Sequence, residues 1–147
     1  MDADETPVAM LAPGKKRTHT AYVWAYAATR YANIQGVVYD FRPSRSGKEA
    51  RDFLEGWQGK LVCDDYSGYK ASFSQGITEI GCMAHARRKF VKVAAVRKKH
   101  RSKRDNPKSL ADEALDYIGD LYQVEKKAKR RQLDAAGIYQ LRKEKAK

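Results

Sequence analysis

The spacing of the apolar residues changes once along this chain, and that change limits the folds open to it. Upstream of residue 86 the apolar side chains follow the short period of β-strands, and downstream of residue 108 they recur at helical spacing. With 147 residues the chain is long enough for one hydrophobic core. The sequence therefore predicts an α/β half followed by a helical half.

The first half contains a predicted hairpin. Residues 22–26 (YVWAY) alternate aromatic and small apolar side chains, which predicts a strand that is buried on both faces. A turn containing Asn33 and Gly36 connects it to a second strand at residues 37–41. We therefore expect these two strands to pair with each other.

A helix and two further strands follow the hairpin. Ser46 and Glu49 have the spacing of a capping box, with Glu49 reaching back to the cap, which predicts a helix over about residues 47–57. The remaining predicted elements of this half are a strand at residues 61–63, a helical turn at residues 69–73 and a strand at residues 77–83.

Positive charge is concentrated in one segment. Residues 86–108 hold eleven Lys and Arg and one acidic residue, Asp105, so ten of the twelve excess positive charges lie there. This density predicts a polyanionic partner, with nucleic acid as the first candidate. An anionic membrane surface is the alternative, but neither a lipidation signal nor an amphipathic helix with an exposed apolar face stands out.

The second half is predicted to be helical. One helix carries Phe90, Val93 and Ala94 on an apolar face, a polar loop follows at residues 100–109, and an amphipathic helix begins at Leu110. The chain has no run of about 18 apolar residues and its N-terminus is acidic, so we expect neither a membrane span nor a secretory signal. A cytosolic location follows from this expectation.

The two cysteines leave a zinc site as an alternative to free thiols. Cys63, Cys82 and His85 could supply three ligands, whereas a structural zinc site takes four. His19 and His100 are poorly placed to complete it. We therefore expect free thiols.

The predicted elements run strand, strand, strand, helix, strand, helix, strand, helix, with the first strand a short stretch at residues 3–6. Carboxylates stand in that strand and at the end of the fourth. This order is that of a ribonuclease-H-like domain, which holds two divalent cations between carboxylates, and hard oxygen ligands favour Mg²⁺ or Mn²⁺. The predicted fold class is thus α/β, a ribonuclease-H-like mixed sheet with flanking helices, followed by a helical segment.

Four segments carry distinctive motifs. They are residues 3–8 (ADETPV), 39–45 (YDFRPSR) with Gly47, 61–69 (LVCDDYSGY) and 81–90 (GCMAHARRKF). Together they resemble the DDE transposases of the insertion-sequence 66 family over nearly the whole chain, although Met83 stands where that family commonly has Trp. The resemblance implies metal-dependent DNA cleavage and strand transfer in a bacterial cytoplasm, with transposon ends and target DNA as partners and an oligomeric parent protein.

The same resemblance implies that Asp4 and Asp64 are catalytic metal ligands. Asp65 is the alternative to Asp64, but the side chain of Asp64 should share a face with Val62 while that of Asp65 points away. The third ligand of the family, a glutamate, has no counterpart here. The glutamates of the second half stand in charged, helical surroundings that do not match that ligand's segment: Glu113, Glu125 and Glu144.

DNA contacts are predicted in the basic segment. The candidates are His85, Arg87, Arg88, Lys89, Lys92, Lys98 and Lys99. Residues 1–100 are expected to be part of the catalytic domain, and residues 101–147 a basic linker and a helical insertion segment that is cut short. With two of three carboxylates, the chain is expected to be a truncated transposase that is inactive by itself. The alternative is a non-catalytic nucleic-acid-binding remnant.

Overall fold

The chain forms two compact units, Met1–Cys82 and Met83–Lys147. The structure is a computed structural model that describes residues 1–29, 32–99 and 107–146, with the backbone alone for residues 97–99. The first unit is α/β and the second is helical, as the apolar spacing predicted. The domain boundary expected at residue 100 stays a prediction, because that residue lies outside the described residues.

The first unit contains a single five-stranded mixed sheet. Its elements are β1 (Asp2–Met10), β2 (His19–Ala27), β3 (Val37–Arg42), α1 (Gly47–Phe53), β4 (Lys60–Cys63), a 3-10 turn (Ser67–Tyr69), α2 (Lys70–Phe73) and β5 (Thr78–Gly81). The strand order is β3-β2-β1-β4-β5. β2 is antiparallel to β1 and β3, so the predicted hairpin is confirmed, whereas β4 is parallel to both β1 and β5.

β1 is a nine-residue strand, so the prediction of a short stretch at residues 3–6 was wrong. All nine residues pair with β2. Pro7 obscures the strand in the sequence, because proline donates no ladder hydrogen bond and is confined to edges, ends and bulges of a sheet. β4 borders β1 only near Asp2, so Pro7 lies where β1 has one partner strand and the missing donor is tolerated.

The core of the first unit lies on one face of the sheet. Trp24 and Tyr26 of β2 are fully buried against α1 and the 3-10 turn, and the Tyr26 ring stacks on Phe53 with centroids 3.8 Å apart. The prediction that β2 is buried on both faces holds only in part, because the helices that complete this core pack on the Trp24 side. On the opposite side Ala21 is buried, whereas Val23, Ala25 and Ala27 are half-buried.

α1 begins as predicted but is held differently at its start. The Ser46 hydroxyl accepts a backbone N–H of the first turn, so the predicted cap is confirmed. The Glu49 carboxylate does not reach back to Ser46, because it accepts a hydrogen bond from the Ser44 hydroxyl at 3.0 Å. α1 ends at Phe53, earlier than predicted, and Gly56 then turns the chain with a left-handed φ of 71°.

Over the residues that the structure describes, the second unit consists of three helices. They are α3 (Met83–Lys99), α4 (Leu110–Arg130) and α5 (Ala135–Lys145). α4 packs against both α3 and α5, and its predicted start at Leu110 is confirmed by a capping box between Ser109 and Asp112. The predicted apolar face of α3 is only partly formed, since Ala94 is buried whereas Phe90 and Val93 are exposed. No helix in the described ranges is long and apolar enough to cross a membrane.

Candidate functional site

Asp4 lies in β1, and Asp64 follows the adjacent strand, β4. β1 and β4 run parallel with Asp2 beside Val62. Asp4 lies two residues after Asp2, and Asp64 lies two residues after Val62, just past the end of β4. The register therefore places both aspartates two residues beyond the paired position of adjacent parallel strands, although they are distant in sequence.

Both aspartates belong to the sheet face that is opposite the core. Ala3 and Cys63, the residues that precede them, are buried in the core. Since successive side chains of a strand point to opposite faces, Asp4 and Asp64 project from the other face. Asp4 is exposed and Asp64 is half-buried, so both remain accessible to solvent and ions.

Each of the two carboxylates has one backbone donor. Asp4 Oδ1 accepts the N–H of Glu5 at 3.1 Å, and Asp64 Oδ1 accepts the N–H of Tyr66 at 3.0 Å. Neither takes part in an ion pair within residues 1–29, 32–99 and 107–146. Among the described residues neither carboxylate is therefore held by an ion pair, although Glu5 and, less strongly, Asp64 raise the pKa of Arg45.

Asp65, the adjacent aspartate, has a different environment. Its carboxylate lies 3.3 Å from Lys70 Nζ, and its side chain is 74% exposed. Lys70 also donates to Glu79 at 2.7 Å, and these two carboxylates raise the pKa of Lys70, with Glu79 contributing most. The charge of Asp65 is thus matched by a protein cation, in contrast to that of Asp64.

Glu5, next to Asp4, points toward the core and is paired with an arginine. Its side chain is only 2% exposed, and Arg45 Nε donates to it at 2.8 Å while Arg45 Nη2 makes a second bond. The Tyr69 hydroxyl donates to the other carboxylate oxygen at 3.2 Å. The hydrogen bond from Arg45 to Glu5 raises the pKa of Arg45. Glu5 therefore serves as a structural anion beneath the exposed Asp4.

Contacts continue from Arg45 to Asp64. The Arg45 guanidinium lies 4.2 Å from the centre of the Tyr66 ring, and the Tyr66 hydroxyl donates to the Arg45 carbonyl oxygen. Tyr66 is also the residue whose N–H binds Asp64. A continuous path of contacts thus links Glu5, beside Asp4, to the turn that orients Asp64.

Sequence reasoning assigned no role to Arg45 or Tyr66. Both lie inside the motif segments at residues 39–45 and 61–69, which is the signal that could have drawn attention to them. Neighbouring glycines permit their close packing: a Cβ at Gly68 would lie 2.1 Å from the Tyr66 ring. The motif segments therefore contain side chains that pack against each other as well as candidate metal ligands.

A third carboxylate does not join the pair in the part of the chain that the structure describes, where no three His, Cys, Asp or Glu side chains form a cluster suited to a metal. The glutamates considered from the sequence belong to the second unit. Among them, Glu125 forms a two-point ion pair with Arg142, at 2.7 and 2.9 Å.

Cys63, one of the residues considered for zinc, is a buried thiol. Burial, with smaller contributions from Glu79 and Asp64, raises its pKa to about 11. Among the described residues, Cys63, Cys82 and His85 do not form a group of three side chains that could hold a metal ion. Cys82 follows β5, and its N–H donates to the Cys63 carbonyl oxygen at 2.9 Å. Both cysteines are free thiols, as predicted.

The basic candidates for DNA contact lie on α3. The exposed members are Arg87, Arg88, Lys89 and Lys92. His85 is half-buried, and its Nδ1 atom is buried without a hydrogen-bond partner in the described structure. The side chains of Lys98 and Lys99 lie outside the described residues. α3 thus presents at least four cations to solvent.

Comparison with known proteins places this chain in a family. It is 33% identical to the Uncharacterized protein y4jD of Sinorhizobium fredii over 135 residues, which are 84% of this chain and 25% of that protein. It is 37% identical to the Uncharacterized protein y4qI of the same organism over 100 residues, which are 60% of this chain and 19% of that protein.

The chain therefore spans about a quarter or less of the length of these relatives. No solved structure matches it. The model of the Transposase IS66 family matches residues 1–147, the whole chain. The chain belongs to the IS66 transposase family.

Proposed function

We propose that this chain is part of the catalytic domain of a DNA transposase, in which Asp4 and Asp64 hold divalent cations for strand cleavage and strand transfer. The observation that carries the proposal is the placement of these two aspartates two residues beyond the paired position of the parallel strands β1 and β4, with neither in an ion pair among the described residues. Family membership supports the transposase part of it.

The architecture supports a ribonuclease-H-like assignment for the first unit. Three antiparallel strands, β1 to β3, are followed by β4 and β5, which run parallel to β1 on its other side. This is the arrangement expected of such a domain. Asp4 then lies on the central strand and Asp64 at the end of the adjacent one.

The chemistry of the donors fits a hard cation. Carboxylate oxygens are the ligands that Mg²⁺ and Mn²⁺ favour, and the Asp4 and Asp64 side chains offer them at one place. Bound divalent cations would activate the attacking oxygen and stabilise the leaving oxygen of a phosphodiester. The contacts among Glu5, Arg45 and Tyr66 would hold both aspartates in position, because misplacement of reacting groups by about 1 Å costs on the order of 100-fold in rate.

The cations of α3 support the proposed transposase function because they could bind DNA. Exposed Arg87, Arg88 and Lys92 are suited to the phosphates of DNA, which position a protein on the duplex without reading its sequence. Such binding weakens as salt rises, because it releases counterions. With about four to six phosphates contacted, the slope of log affinity against log salt would be roughly −4 to −5.

Two adjacent aspartates provide a matched test of the metal site. Replacement of Asp64 by Asn keeps the shape of the side chain and removes the charge that holds a hard cation, so Asp64→Asn should abolish Mn²⁺ binding measured by calorimetry. Asp65→Asn is the control and should retain most of it, because the carboxylate of Asp65 is paired with Lys70. Equal losses, or a larger loss for Asp65→Asn, would contradict the assignment.

A second candidate function is DNA binding without cleavage by this chain alone. It is favoured by the absence of a third carboxylate beside Asp4 and Asp64 in the described residues, since two side chains hold two metals loosely. We expect the 147-residue chain to leave duplex DNA intact in Mg²⁺ or Mn²⁺. Nicking that disappears in Asp64→Asn would refute this and make Glu113 and Glu125 the next residues to replace.

A further inference from the structure

α4 is divided into an acidic part and a basic part. Residues 110–125 contain five acidic residues and no Lys or Arg, whereas residues 126–131 contain five Lys and Arg and no acidic residue. The basic end lies outside the segment 86–108 that holds most of the net charge. The helix therefore has a second, separate concentration of positive charge.

The structure arranges these cations on one side of the helix. Lys126, Lys129 and Arg130 are exposed, and their spacing of three and four residues places them on a common stripe. Val124 and Ala128 are buried on the other side, where they pack with Ile138 and Leu141 of α5. We call Lys126, Lys129 and Arg130 the α4 stripe.

Stability of the helix does not explain this cluster. Cations near a helix C-terminus interact favourably with the helix dipole, but only by about 0.3–1 kcal/mol each at low salt. Lys126 and Arg130 are like charges four residues apart, which destabilises a helix. None of the three forms an ion pair in the described part of the chain. The stripe thus carries charge that its own surroundings do not balance.

The α4 stripe lies on a helical hairpin, formed by α4 and α5, that hydrogen bonds and an ion pair hold together. Leu133 N–H donates to the Ala128 carbonyl oxygen at 3.2 Å across the turn after α4, and the Asp134 carboxylate caps α5 through the Gly137 N–H at 2.8 Å. The ion pair between Arg142 and Glu125 joins the two helices. The backbone that carries the stripe is therefore held in place, which lowers the entropy lost on binding.

We propose that the α4 stripe is a second contact site for the phosphate backbone of duplex DNA, separate from the basic segment at residues 86–108. This inference rests on the proposed function, because it takes DNA as the partner. Long lysine and arginine side chains on one stripe fit a row of phosphates, and they make contacts that are independent of base sequence. The site would add affinity and positioning to whatever α3 contributes.

The test is salt-dependent binding of the full chain to a fluorescently labelled duplex. In the triple variant Lys126→Gln, Lys129→Gln, Arg130→Gln, the slope of log affinity against log salt should become less steep by about 2–3, at 0.9 per lost phosphate contact. Gln is a good helix former and removes the repulsion within the stripe, so α4 should remain folded. Circular dichroism checks this.

A matched control removes the same charge elsewhere. Lys15, Lys16 and Arg17 are exposed in the connection between β1 and β2, and their triple replacement by Gln lowers the net charge equally. We expect its slope to equal that of the wild type. An unchanged slope in the stripe variant, with salt-dependent wild-type binding, would overturn this inference alone. A wild-type chain that does not bind the duplex would overturn the DNA-binding part of the proposed function as well.

Discussion

The two units of this chain distribute their charged residues differently. In the first unit the described ion pairs join neighbouring opposite charges, such as Arg45 with Glu5 and Lys70 with Glu79, whereas Asp4 and Asp64 form none. In the second unit acidic and basic residues are separated along α4. Matched charges fix the position of a few groups, whereas separated charges create a field over a surface. The first arrangement suits a localised reactive site, and the second suits the binding of a polyanion.

The hydrophobic cores of the two units also differ. The first unit packs Trp24 edge-on against Tyr69, with ring centroids 6.0 Å apart, around a sheet. The hairpin of the second unit buries Val124, Ala128 and Leu141, which are smaller. Large rings bury more area and restrict each other's orientation, so the sheet unit should be the more rigid and the more sensitive to single replacements.

The largest expected effect tests that difference in packing. Trp24→Ala should destabilise the protein by about 3–5 kcal/mol, because it leaves a large cavity among aromatic neighbours. Val124→Ala should cost only about 1–2 kcal/mol, because it removes less buried area. Urea unfolding followed by circular dichroism measures both, and similar losses would show that the cores do not differ as described.

The buried ion pair gives the next effect. Arg45→Met leaves the Glu5 carboxylate, only 2% exposed, without its cation. We expect a loss of about 2–3 kcal/mol, below that of a fully buried pair because Arg45 is half-exposed. Lys48→Met is the control: it removes an exposed ion pair with Asp52 within α1 and should cost about 0.5 kcal/mol or less. Equal costs for the two would mean that Glu5 finds another donor.

Alkaline pH should lower the free energy of unfolding of the first unit. Burial raises the pKa of Cys63 from 9.0 to about 11, and burial also raises the pKa of Tyr26 and Tyr69. The folded state therefore favours the protonated forms, so this stability is complete below the unfolded pKa and is lost as pH rises through the folded pKa. Cys63 alone would lower stability by about 1.4 kcal/mol per pH unit between these values.

Urea unfolding at pH values on either side of 9.0 measures this dependence. Cys63→Val is the comparison, because it keeps an apolar side chain and removes the thiol. Its stability should fall less steeply with pH than that of the wild type. A variant with an unchanged pH dependence would exclude Cys63 as a source.

The smallest effect concerns the hairpin of the second unit. Gln132, after α4, has a left-handed φ of 52°, a conformation that favours glycine. Gln132→Gly should stabilise the protein by about 0.5–1 kcal/mol in a thermal melt, because glycine adopts this conformation without steric cost. Arg131→Gly should instead destabilise it, since Arg131 has a right-handed φ of −83°. A loss in both variants would show that the turn is not strained.

Much of the fold could be predicted because it follows from local patterns. The paired strands, the Ser46 cap and the start of α4 at Leu110 each depend on residues that are close together in the chain. The full length of β1 could not be predicted, because Pro7 argues against a strand unless one knows that β4 stops short of it. Glu49 likewise has its capping-box position but bonds to Ser44 instead.

The candidate site, too, could be predicted from the sequence only in part. Motif resemblance alone named Asp4 and Asp64, and local alternation separated Asp64 from Asp65; the roles of all three stay predictions. The structure adds that the two aspartates lie just beyond the paired position of adjacent parallel strands and that Lys70 is the partner of Asp65. The only sequence signal for Arg45 was its place in the motif at residues 39–45.

By itself the sequence determined the order of elements, the family and the places where charge accumulates, because each is read from residue identity and short-range spacing. The tertiary structure alone decided which charges are matched and which are left unpaired. Glu5 and Asp4 are adjacent carboxylates in one strand, yet Glu5 lies against Arg45 on the core side while Asp4 faces outward. That difference depends on a strand register and on a residue forty positions away, and long-range pairing of this kind leaves no periodic trace in a sequence.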